Sequence, residues 1–66
     1  MTITLNGSAR DVSAGITVSA LLEELGLDAK TVVAQVNEDI VERASFSATI
    51  IHDGDTVELI RFVGGG

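Results

Sequence analysis

The chain has 66 residues with no cysteine, and ten Asp and Glu against four Lys and Arg give a net charge of −6. That length supports one small domain with one core, and the missing thiols exclude a disulfide framework, a thiolate metal site and a cysteine nucleophile. The acidic balance argues against a nucleic-acid partner, and no apolar run approaches the ~20 residues a membrane span needs.

Met1 to Leu5 alternates, with Ile3 and Leu5 on one face and Thr2 and Thr4 on the other. With strand residues from the first position, no signal peptide is expected, and the chain reads as cytoplasmic. Asn6-Gly7 is a two-residue hairpin signal, because both residue types tolerate the positive φ of a type I′ turn. The return strand, Ser8 to Val12, then sets Leu5 opposite Ser8 and Ile3 opposite Arg10. Only Val12 is left to enter the core, so this is an edge strand.

Past Ser13-Ala14-Gly15 the period changes. Val18, Leu21, Leu22 and Leu25 stand at i, i+3, i+4 and i+7, the apolar stripe of a short helix. Thr17 is its N-cap, Ile16 the residue that staples onto Leu21, and Gly26 the C-terminal stop. Thr31 to Val36 is a β-branched run and reads as a third strand. Asn37-Glu38-Asp39 turns into a short strand, Ile40-Val41. Glu42 to Ala48 is irregular, with Phe46 as its anchor. Ile50-Ile51 leads into the turn Asp53-Gly54-Asp55, and Thr56 to Val63 is the last strand.

One helix can bury one stripe, and five short strands are too few for a sandwich. The economical arrangement is a single mixed sheet with the helix across one face, an α+β fold of the β-grasp type. Val18, Leu21, Leu22 and Leu25 are then expected to pack on Ile3, Leu5, Val57 and Leu59.

The last strand runs into Gly64-Gly65-Gly66. Three glycines reach roughly 10 Å when extended and pass through channels closed to larger residues. Such a tail is expected to be flexible and to carry a single reactive group, the carboxylate of Gly66. Other candidates are weaker. His52 has no second imidazole or thiol in the sequence to work with. Asp53 and Asp55 flank a turn glycine, where Asp side chains bond local backbone. Glu23 and Glu24 form a solvated helix face. No metal site and no catalytic set is expected. Ile60 and Phe62 point to the sheet face that the helix leaves bare. With Val33 and Val63 they form a candidate docking patch beside the tail.

These features together resemble the ubiquitin-like sulfur carriers, most closely the ThiS type, over the whole chain. The resemblance rests on MTITLNG at the start, TVSALLEELGL at 17–27, VVAQVNEDIV at 32–41 and above all DGDTVELIRFVGGG at 53–66. Glu42 stands where the family often has proline, a departure confined to one loop. The resemblance implies a carrier rather than an enzyme. Gly66 would be adenylated by a ThiF-like enzyme using ATP and magnesium, with Gly64 and Gly65 threading its channel. Sulfur derived from a cysteine desulfurase would convert the adenylate to a thiocarboxylate, and a ThiG-like thiazole synthase would use that sulfur for thiamin. The residues agree with a borrowed activation: a carboxylate with pKa ~3.3 to 3.7 is a poor electrophile at neutral pH. The chain has no Gly-rich phosphate loop with lysine, so ATP has to be bound by a partner. Two alternatives remain at this point: a molybdopterin-synthase small subunit, and a protein modifier joined to target lysines.

Overall fold

A computed structural model describes residues 1–62. Val63 and the three terminal glycines, on which the expected tail and part of the docking patch fall, lie outside the described residues. The elements are β1 (Thr2–Leu5), β2 (Ser8–Asp11), α1 (Val18–Leu25), β3 (Val32–Val36), β4 (Asp39–Val41) and β5 (Thr56–Arg61). Short 3-10 turns occupy Ala29–Thr31 and Arg43–Ser45. The strands form one mixed sheet in the order β2-β1-β5-β3-β4. The last strand therefore lies in the centre, parallel to β1 and antiparallel to β3.

Local chemistry explains the elements. Asn6 and Gly7 take φ of 48° and 85°, and the hairpin register pairs Leu5 with Ser8 and Ile3 with Arg10 as the sequence requires. Thr17 caps α1 by accepting a bond from the Ala20 N–H at 3.1 Å. Gly26 ends it at φ 69°, its N–H bonding the Glu23 carbonyl at 3.1 Å, while Leu27 bonds back to Leu22 at 2.9 Å. The β3–β4 turn is tighter than the sequence reading. Asn37 and Glu38 alone make it, with φ of 49° and 74°, and Asp39 already pairs with Val36.

The core holds Ile3, Val12, Ile16, Val18, Leu21, Leu22, Val32, Ala34, Phe46, Ile51, Val57 and Leu59. Leu5 and Leu25, expected within it, are only partly buried. Leu25 sits in the last turn of an eight-residue helix, and Leu5 at the end of β1. Ile51 and Phe46 close the opposite end, brought in by the long connection between β4 and β5. That connection is tied to the helix start, where Val18 N–H bonds the Thr49 carbonyl and Ile51 N–H the Ile16 carbonyl. No helix among the described residues is long and apolar enough to cross a membrane.

Candidate functional site

β5 carries the chain toward the glycines, so what fixes β5 fixes where the tail starts. Alternation places Val57 and Leu59 against the helix, buried, and Glu58, Ile60 and Phe62 on the other face. Five β3 residues, Val32 to Val36, pair with Arg61 to Val57. The ladder extends one step beyond the strand, through Phe62 N–H to the Thr31 carbonyl at 3.1 Å. The strand itself ends at Arg61, so Phe62 falls outside it, and the Val63 end of the expected strand lies outside the described residues.

Among the described residues, the outer face carries exposed apolar side chains. Ile60 is 55% exposed and Phe62 52%, and half-buried Val33 is the direct register partner of Ile60. No loop among the described residues covers them. Ile40, 72% exposed, joins this face because it pairs with Gln35, which points the same way as Val33. The sequence reading missed Ile40. Its signal was the two-residue turn: a tight Asn37-Glu38 turn fixes Val36 opposite Asp39 and so Ile40 opposite Gln35.

Two asparagines hold β5 from its flanks. β1 ends at Leu5, but the Asn6 side chain continues its ladder, accepting from Leu59 N–H at 2.8 Å and donating to the Leu59 carbonyl at 3.3 Å. At the other end, Asn37 Oδ1 accepts from Thr56 N–H at 2.9 Å and its Nδ2 donates to Asp55 at 2.8 Å. Both asparagines are in the left-handed region their turns demand, so each serves the turn and the neighbouring strand at once.

The acidic turn is structural. Asp53 accepts from Thr2 N–H at 2.9 Å, and Asp55 from His52 N–H at 2.8 Å. The Asn37 amide, then the His52 N–H, holds the Asp55 carboxyl below its ordinary value of 3.8. A lowered folded pKa means that the ionised carboxylate stabilises the fold above the ordinary carboxylate range. This contribution is lost as pH falls below ~3.9 toward the folded pKa. We therefore expect the urea midpoint to drop between pH 5 and pH 2.5 by less in Asp55→Asn than in the parent chain. Equal slopes would mean that Asp55 is not part of the acid limb. His52 is exposed, with its ring nitrogen 3.8 Å from Asp55, and it is the one histidine of the sequence. The described residues bring no group of three or more His, Asp or Glu into an arrangement that could hold a metal ion.

The ThiS family matches residues 3–66. A thiazole synthase of Paramagnetospirillum magneticum is 42% identical over all 66 residues, which make up 20% of that protein. The same 20% share holds for the thiazole synthase of Magnetococcus marinus, so the chain spans about a fifth of these relatives. The sulfur carrier protein ThiS of Escherichia coli is 35% identical over 66 residues, with each chain covered completely. Among solved structures, the crystal structure of a thiamine biosynthesis protein (ThiS) from Geobacter metallireducens superposes with a TM-score of 0.86 at 38% identity, covering 100% of both chains.

Proposed function

The chain belongs to the ThiS family, and from that membership we propose that it carries sulfur on the carboxylate of Gly66 for assembly of the thiazole of thiamin. A partner of the ThiF kind binds ATP with magnesium. The Gly66 carboxylate attacks the α-phosphate, and pyrophosphate leaves. A persulfide originating from a cysteine desulfurase then attacks the acyl carbon and expels AMP to give an acyl disulfide. A thiol attacks that disulfide, releasing the thiocarboxylate and leaving the two thiol sulfurs joined as a disulfide. A ThiG-like thiazole synthase takes the sulfur. The chain contributes a presented carboxylate and a docking face rather than catalytic groups, and it acts in the cytoplasm, where ATP is available.

The observation that carries this reading is the full-length match to the sulfur carrier of Escherichia coli. The thiazole synthases add weight, because a region similar to this whole chain occupies a fifth of their length. Glycine at the reacting end leaves the attacked carbonyl uncrowded, and Gly64 and Gly65 add no side chain behind it. Ile60, Phe62 and Val33, with Ile40 added, form the surface on which the activating partner sits. An apolar centre without buried charge suits that role.

Intact-mass analysis of the carrier isolated from its own cells tests both parts. The expected species has one oxygen of Gly66 replaced by sulfur, and its share falls in cells expressing Ile60→Asp. A carboxylate that stays unmodified even in cells starved of thiamin would overturn the reading.

A further inference from the structure

β4 is shorter than the strand it covers. It pairs with Ala34, Gln35 and Val36 only, ends at Val41, and the chain then turns away through Arg43–Ser45. On that side no strand pairs with Val32, whose side chain is buried in the core. Thr31 bonds toward β5, through its carbonyl to Phe62. By alternation, the Val32 N–H and C=O face the β4 side, where no strand continues. Among the described residues no hydrogen bond outside the strand ladders reaches either group, and the β3–β4 ladder stops at Ala34. An open groove of about 240 Å³ runs along this edge, with Val33, Val41, Phe46 and Phe62 in its walls and Lys30 and Arg43 beside them. Lys30 and Arg43 are two of only four cations in a chain of net charge −6, and among the described residues neither pairs with a carboxylate.

We propose that this open end of β3 docks an extended segment of a partner protein that carries carboxylate side chains alternating with apolar ones. Such a segment adds to the sheet through the Val32 peptide groups, the usual source of affinity in strand addition. Its apolar side chains meet the valines and Phe62, and its carboxylates meet Lys30 and Arg43. Charge selects the occupant. Elsewhere an acidic segment is repelled by the net charge of the chain, so the two cations fix where and in which register it lands. A second copy of this chain is disfavoured by the same repulsion. Because Phe62 belongs to the groove wall, a segment docked here lies at the end of β5, beside the start of the tail. The proposal does not depend on sulfur chemistry and stands or falls apart from it.

The test uses the full chain, uniformly labelled with nitrogen-15, titrated with an acetylated and amidated pentapeptide, Val-Glu-Val-Glu-Val. Amide shifts are expected for residues 29–33 and 40–43, saturating in the low millimolar range. The double variant Lys30→Glu, Arg43→Glu should weaken binding about tenfold or more, as removal of close charge pairs does. Reversing Arg10, on the opposite edge strand, should change nothing. Circular dichroism verifies that each variant is folded. The lysine counterpart of the peptide should leave the spectrum unmoved. Four results would each overturn the proposal: no shifts, shifts on the β2 edge, equal shifts from inorganic phosphate alone, or the same shifts on raising the protein concentration without peptide.

Discussion

Deleting Gly66, or adding one residue after it, is expected to abolish ATP-dependent activation of the carrier while leaving the domain folded. In the proposed function the partner has to hold one carboxylate in line with the α-phosphate, and a misplacement of ~1 Å is enough to cost about 10²-fold in rate. One residue moves that carboxylate by ~3.3 Å or more. Gly65→Val should act in the same direction by adding bulk where the chain threads. None of these changes touches the core, whose members run from Ile3 to Leu59. The assay is pyrophosphate exchange with the cognate activating enzyme, accompanied by circular dichroism. Undiminished exchange by a folded chain lacking Gly66 would sink the carrier assignment.

Leu21→Ala and Leu22→Ala are each expected to lower stability by about 2 to 5 kcal/mol. Both side chains are essentially inaccessible, at 0% and 2% exposure, so truncation leaves a cavity that a short helix pinned at both caps cannot collapse. A domain of this size has only about 3 to 10 kcal/mol in total, at ~0.05 to 0.15 per residue, so either change consumes much of it. Leu25→Ala, on the same stripe but partly buried, should cost distinctly less. Urea midpoints at unchanged slope measure all three. Equal losses at Leu21 and Leu25 would mean that the helix is rotated from the face described.

The helix was legible because three independent signals coincide within ten residues: the Thr17 cap, the 3.6 period and the Gly26 stop. The first hairpin was legible because Asn6-Gly7 leaves one register open. The face of the docking patch followed from alternation in β5, which separates Val57 and Leu59 from Ile60 and Phe62. Other features are products of tertiary geometry. Leu25 fits the apolar stripe as well as Leu21 does, and what distinguishes them is that Leu25 sits in the last turn of an eight-residue helix. The burial of Ile51, and not Ile50, depends on the tie between the Ile51 N–H and the Ile16 carbonyl. Asn6 reads as a turn residue. That its amide also serves as a rung for Leu59 could not be seen before β5 was known to lie beside β1. The reactive group belongs to a different category, since Gly66 was singled out by chemistry and resemblance alone.

The position of β5 also decides how the domain bears a load. An enzyme that draws the glycines into its active site pulls on β5 along its own length. The bonds on both flanks, to β3 on one side and to β1 and Asn6 on the other, lie across that direction. They are strained together in shear, rather than opened one by one as when an edge strand is peeled away. The same traction on β2 or β4 would meet bonds on a single side. If the proposed partners do draw on the tail, the centre strand is the one whose bonds resist that pull from both sides.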